Sequence, residues 1–336
     1  MAPAGSGFRV LVTDYVWPSV DPEREVMAAI GGELVVAPDG REETLAALAE
    51  DVDGILTCFA QVTPKVVEAA KRCVVIGRYG VGVDNIAVDT ATRLGILVTW
   101  VPDYCVDEVS DHALALLLAW NRRINLFDSS VKAGRWHVEL TMPIRRLRGR
   151  TMGIIGLGRI GKALSRKAGA FGMEVMGADP FVSAEDAEAA GARLVDTNTL
   201  LAESDFVSVH TPLTPETRNL IDKDALDRMK PSAFLINVAR GALIDEEALH
   251  QALREKRIAG AGLDLLVEVP PPPDHPLLGL DNVIVTPHVA FFSRDSVREL
   301  QVRATQEVAR VLTGRMPDNT VNPQVLSQAN NRTSLR

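Results

Sequence analysis

The chain has 336 residues, 46% hydrophobic and 24% charged, with 36 Lys and Arg against 44 Asp and Glu for a formal net charge of -8. That length exceeds one ordinary core and suits two domains, the composition excludes a disordered chain, and the anionic balance argues against nucleic acid or anionic lipid as a partner. Cys58, Cys73 and Cys105 are widely spaced and read as reduced, buried small residues; without a basic-then-apolar start over residues 1–7, and with Ala113 to Trp120 as the longest apolar run, a cytoplasmic location with no membrane contact is expected.

From Phe8 onward, short apolar strands alternate with helical patterns: Arg9 to Thr13, Leu34 to Ala37, Gly54 to Cys58, Val74 to Gly77 and Ile96 to Thr99. Such alternation predicts a parallel α/β sheet. Val106 to Ile124 carries acids at its start and Arg122 and Arg123 at its end, which suits the helix dipole. Being apolar on most faces, it is expected to be a helix buried between two domains. After Gly149 the alternation resumes with Thr151 to Ile155, Glu174 to Ala178, Phe206 to His210, Ala233 to Asn237, Gly260 to Leu265 and Val283 to Thr286. A final helix over roughly Ser293 to Thr313 precedes a polar tail from Gln324 that is expected to be mobile. Pro270 to Pro273 can enter neither a helix nor a central strand and predict a stiff loop.

The strand Thr151 to Ile155 runs into Gly156-Leu157-Gly158-Arg159-Ile160-Gly161 and then a helix. Gly156 permits the tight turn, Gly158 lets the backbone approach a pyrophosphate, and Gly161 lets helix and strand pack closely. Helix-start amides and the dipole then face the anion. Asp179 ends the next strand, where a carboxylate accepts hydrogen bonds from a ribose diol and repels a 2'-phosphate, so NAD is expected, NADH in preference to NADPH. The alternative is an aspartate that only caps the loop before Pro180. Arg159 and Ile160 lie within the turn and complete the candidate cofactor contacts.

Five segments, Arg78–Asn85, Val101–Glu108, Leu147–Gly161, Asn237–Gly241 and Thr286–Ala290, resemble in sequence and order the D-isomer-specific 2-hydroxyacid dehydrogenases. That family includes phosphoglycerate dehydrogenase-like enzymes and the C-terminal-binding-protein corepressors. The resemblance implies two Rossmann-like parallel-sheet domains, one flavodoxin-like and one an NAD-binding Rossmann domain, with a cleft between them. It implies a discontinuous substrate-binding domain over 1–101 and 289–336, an NAD domain over 102–288, and a homodimer. It implies that Arg240 holds the substrate carboxylate and 2-oxo oxygen, with Arg78 and the amides of Val81 and Gly82 completing the substrate site. His288 would be the proton donor. Thr211, Pro212, Val238, Asp264 and His288 would continue the cofactor contacts, Asp264 near the nicotinamide amide. The chemistry suits these residue types: a guanidinium fork binds a carboxylate bidentately, and an imidazole titrating near neutrality works as acid and base. His112, His137, His210, His250 and His275 read as structural. Arg145, Arg146, Arg148 and Arg150 read as a solvated connection.

The family's glutamate partner for the histidine stands five residues after the aspartate equivalent to Asp264, and here that position is Val269. A carboxylate about 4 Å from an imidazolium is worth roughly 4 kcal/mol at an effective dielectric of 20. Three readings stay open: Glu268 swings in as the catalytic partner, another group or a charged substrate supplies one, or turnover is poor. The leading expectation is therefore an NAD-dependent oxidoreductase acting on a small 2-oxo or 2-hydroxy acid. The alternatives are an NAD(H)-sensing, corepressor-like interaction protein with little turnover, or a dehydrogenase of formate or phosphite. Trp100, Tyr79, Tyr104, Phe291 and Phe292 are either an apolar substrate pocket or packing residues.

Overall fold

The computed structural model describes residues 7–136 and 144–335, so His137 lies outside the described residues. The chain forms two compact units, one from the chain up to Tyr104 together with everything from Ser293, the other Cys105–Phe292.

In the first unit five parallel strands, β1 (Arg9–Val12), β2 (Glu33–Val36), β3 (Gly54–Thr57), β4 (Val75–Arg78) and β5 (Leu97–Thr99), lie in the order β2-β1-β3-β4-β5. Strands β1, β3 and β4 are apolar almost throughout because a parallel sheet is covered on both faces. Part of that cover arrives from the far end of the sequence. The helix Arg294–Leu312 lies so close to the sheet that a Cβ at Gly77 would stand 2.6 Å from a Val308 methyl. Gln301 on that helix donates to the Glu23 carboxylate (2.8 Å) and to the Ser19 carbonyl (2.9 Å). Burial holds Glu23 above the usual carboxylate range, against smaller lowering by its hydrogen bonds.

The tail expected to be mobile is docked. Arg332 Nη1 donates to the carbonyls of Ala70, Lys71 and Cys73 at 3.0, 3.1 and 3.2 Å, and its backbone N–H to Gly95 at 3.0 Å. Absence of apolar periodicity was a poor guide here, because polar side chains hold the tail to backbone carbonyls that would otherwise face water.

In the second unit seven parallel strands, β6 (Thr151–Ile155), β7 (Glu174–Ala178), β8 (Arg193–Leu194), β9 (Phe206–Val209), β10 (Phe234–Asn237), β11 (Gly260–Leu263) and β12 (Val283–Val285), run in the order β12-β11-β10-β9-β6-β7-β8. The two-residue β8 is too short to leave a sequence signal. The direction of winding reverses between β6 and β9, and ligands of open α/β sheets bind outside the carboxyl ends of strands at such a point. The helix Val106–Arg122 packs on the helix Arg159–Ala170 and on β10 and β11. It ends at Arg123, whose left-handed backbone (φ 55) stops the helix. Among the described residues no helix is long and apolar enough to cross a membrane, and no group of three or more His, Cys, Asp or Glu could hold a metal ion.

Asn322 is fully buried, accepting from the Val98 amide of β5 (2.7 Å) and donating to Thr92 Oγ1 (2.9 Å) and the Ile96 carbonyl (3.0 Å). Asn322→Ala should lower stability by about 2–4 kcal/mol, because it strands a buried strand amide and carbonyl; urea unfolding measures this, and a loss below about 1 kcal/mol would contradict it.

Candidate active site

The glycine turn after β6 is built as the spacing predicts. Gly156 has φ +95, and a Cβ there would lie 2.8 Å from the His210 carbonyl carbon and 2.9 Å from the Thr211 nitrogen. Gly161 sits so close that its Cβ would be 2.1 Å from the Gly156 oxygen. Gly158 differs, since a Cβ there would meet nothing within 4 Å. It caps the helix Arg159–Ala170 with no side chain bonded to the first-turn amides, so an open face and uncapped donors coincide. Arg159 is exposed and Ile160 half-buried.

Asp179 Oδ2 accepts from the Leu157 amide (2.8 Å) and Oδ1 from the Phe181 amide (2.9 Å). It therefore caps its own loop and ties that loop to the glycine turn, while each oxygen keeps a lone pair for a ribose hydroxyl. Thr211 Oγ1 is buried without a hydrogen-bond partner. Pro212 is exposed, its carbonyl accepting from Thr217 Oγ1 (2.7 Å), and Val238 is buried. An uncapped helix start, an open glycine face and an orphaned hydroxyl beside the turn fit a dinucleotide phosphate and sugar. His210 contacts Ser208 Oγ at 2.8 Å, and burial pushes its imidazole down to about 4, so it is neutral near pH 7.

Three neighbouring strands bring the remaining candidates to the same carboxyl edge. After β10, Asn237 closes a turn by accepting from the Ala239 amide (3.0 Å) and donating to the Arg240 carbonyl (2.8 Å). Half-buried Arg240 donates from Nη1 to the Ala239 carbonyl (2.7 Å). Gly241 allows this loop to lie against the segment after β11, since a Cβ would stand 2.2 Å from the Leu266 carbonyl carbon.

Asp264 follows β11 and is 1% exposed. Its Oδ1 accepts from Thr286 Oγ1 (2.6 Å) and the Val289 amide (3.0 Å), its Oδ2 from the Ala290 amide (2.9 Å), and its carbonyl from the His288 amide (2.6 Å). Every one of these bonds holds the loop after β12. His288 occupies that loop with a left-handed backbone, φ 55, unusual for a residue with a side chain. Phe291 meets the His288 ring edge-on at 6.1 Å. Sequence reasoning placed Asp264 toward the cofactor and missed this role. It also set aside His112, whose Nε2 lies 2.9 Å from Thr286 Oγ1 and 3.5 Å from Asp264 Oδ1.

Glu268 is not brought to His288. It is exposed, and among the described residues it makes no hydrogen bond or ion pair. The backbone beside it is held elsewhere: the Val267 amide donates to Glu246 Oε1 (2.7 Å), while Glu246 Oε2 lies 3.4 Å from His275 Nε2. Val269, at the family's glutamate position, is 56% exposed.

Within the first unit Arg78 is buried, 6% exposed, with Nε donating to Asn85 Oδ1 (3.1 Å), Nη1 to the Tyr79 carbonyl, and the guanidinium carbon 6.0 Å from the Phe59 ring centroid. It braces the turn containing Gly80, φ 145. The amides of Val81 and Gly82 that follow donate to no acceptor among the described residues and are available to an anion. Of the aromatic residues, Tyr79 is a packing residue, 1% exposed and edge-on to Trp17 at 4.9 Å; Tyr104 and Phe291 are buried, Trp100 half-buried and Phe292 exposed.

Residues 114–290 match the family model described as D-isomer specific 2-hydroxyacid dehydrogenase, NAD binding domain. A D-3-phosphoglycerate dehydrogenase of Archaeoglobus fulgidus is 41% identical over 84% of this chain, which spans only 53% of that relative. A D-lactate dehydrogenase from Aquifex aeolicus, complexed with NAD and lactic acid, superposes with a TM-score of 0.85 at 27% identity, covering 94% of this chain and 99% of that one. An NADPH-dependent glyoxylate/hydroxypyruvate reductase from Sinorhizobium meliloti, in complex with NADP and malonate, gives 0.85 at 30% identity, covering 98% and 99%.

The glycine geometry separates binding from folding. Gly158→Ala should leave the melting temperature within about 2 °C and weaken NADH binding at least about tenfold, whereas Gly156→Ala should lower stability by roughly 1–3 kcal/mol; calorimetry and NADH fluorescence titration check both. For His210, a folded pKa near 4 means that its contribution to stability is present above the unfolded imidazole range and is lost as pH falls toward 4. NMR titration of the ring should give a midpoint well below 5.5, and a midpoint near 6.5 would contradict the burial argument.

Proposed function

Because the chain belongs to the D-isomer-specific 2-hydroxyacid dehydrogenases, we propose that it interconverts a small 2-oxo acid and the corresponding D-2-hydroxy acid with a nicotinamide cofactor. The observation that carries this reading is the delivery of Arg240, Asp264 and His288 to one strand edge by β10, β11 and β12, in the sheet whose glycine turn fits a dinucleotide. Gly156, Gly158, Ile160, Gly161, Asp179 and Thr211 would hold the cofactor, which supplies the hydride when bound. NADH is preferred to NADPH in this reading, since the Asp179 carboxylate lies where a 2'-phosphate would be repelled.

The Arg240 guanidinium binds the substrate carboxylate and polarises the 2-oxo group, lowering the cost of negative charge on its oxygen. His288 donates a proton to that oxygen as the carbonyl is reduced, and takes it back in the reverse direction. Restraint of the backbone on both sides of His288 holds the ring for this transfer without help from Glu268. The working assembly is proposed to be a homodimer, testable by light scattering.

The test is NADH oxidation at 340 nm with glyoxylate, hydroxypyruvate, pyruvate and phenylpyruvate. Saturable turnover is expected, with Arg240→Lys lowering kcat/KM at least about 100-fold, His288→Asn lowering kcat by roughly 10²–10⁴, and Glu268→Gln staying within about twofold of the parent. Tight NADH binding without turnover on any oxo acid would overturn the enzyme reading in favour of a dinucleotide sensor.

A further inference from the structure

We propose that His112 is a positioning residue for this reaction, acting through Thr286 and Asp264 on the loop that carries His288; the inference rests on the oxidoreductase reading above. The direction of each hydrogen bond follows from counting protons. Thr286 has one hydroxyl proton, directed to Asp264 Oδ1 at 2.6 Å. The 2.9 Å contact between Thr286 Oγ1 and His112 Nε2 must then be an imidazole N–H donating to the hydroxyl. His112 Nε2 thereby carries a proton, and the two bonds run in series toward a carboxylate, an arrangement in which each strengthens the other.

The upstream end of this chain is rigid. His112 lies in the helix Val106–Arg122, which packs on β10 and β11 and is fastened to the helix Arg159–Ala170 by Lys167 Nζ, bonded to Ser110 Oγ (2.8 Å) and to Asp111 (2.7 Å). The downstream end needs rigidity. A left-handed residue with a Cβ costs about 1–2 kcal/mol, so His288 keeps φ 55 only while the backbone around it is over-determined. Asp264 provides that through the amides of 288, 289 and 290, and its carboxylate is also held by Thr286 Oγ1 and, behind that hydroxyl and 3.5 Å from Oδ1, by His112 Nε2. Loss of the chain therefore loosens the proton donor while leaving the glycine turn intact, so kcat falls by a larger factor than the KM for NADH rises.

The experiment compares Thr286→Val, which keeps shape and removes the hydroxyl, Thr286→Ser, which restores it, His112→Leu, and the His112→Leu/Thr286→Val double variant. Expected are a roughly tenfold fall in kcat for each of the first and third, a smaller change in the KM for NADH than in kcat, recovery to within about threefold in Thr286→Ser, and a double variant no worse than either single one. Parental kcat in Thr286→Val, a serine variant as poor as the valine one, or multiplying losses in the double variant would overturn the proposal. A second readout is independent of turnover. In protein labelled with 15N-histidine, the neutral His112 ring should carry its proton on Nε2 and lose that preference in Thr286→Val. A tautomer mixture in the parent, or no change in the variant, also overturns it. Absence of turnover in the parent sinks the oxidoreductase reading, and the ring tautomer still decides the relay.

Discussion

One buried carboxylate organises the chemistry-bearing edge of the second sheet. Asp264 follows β11, the strand between those that carry Arg240 and His288, and its oxygens accept from Thr286, Val289, Ala290 and, through its carbonyl, His288. A carboxylate with several donors is satisfied in a place where an unpaired charge would be costly. The same bonds hold the loop in which His288 keeps an unfavourable backbone conformation. Preorganisation of this kind is done at folding and need not be repeated in each turnover.

The sequence was informative where the determining interactions are local. Period and apolar runs placed β1, β3, β4, β6, β7 and β9–β12 to within a residue or two, because buried parallel strands are continuous apolar runs. The glycine turn was legible for a similar reason: the required conformation at Gly156 and the close contact at Gly161 arise within six residues. What escaped was non-local. His112 stands 174 positions from Thr286, and nothing near either residue signals the other. Glu268 is a different case. Its one-residue offset from the family's glutamate position suggests a substitute, whereas the structure leaves it exposed beside a backbone held by Glu246, which adjacency in sequence does not report.

The two arginines assigned to substrate by resemblance are held very differently. Arg240 is half-buried on a turn that Asn237 shapes, whereas Arg78 is buried within its own unit and directed at Asn85 and the Tyr79 carbonyl. Arg78 braces the turn containing Gly80, which leads into the amides of Val81 and Gly82.

The return of the carboxyl-terminal segment to the first sheet also sets an order of assembly. The second unit is one uninterrupted stretch, but the first is completed only when the helix Arg294–Leu312 and Asn322 reach strands that left the ribosome more than two hundred residues earlier, as the separation of 224 between Val98 and Asn322 records. During synthesis the earlier strands expose the surface around Gly54 and Gly77 that Val308 later covers, while the inserted unit can already close around its own core. Newly made chains of this architecture would therefore pass through a stage in which the later-encoded unit is folded and the earlier-encoded one is waiting, which makes the first unit the part most in need of protection by chaperones.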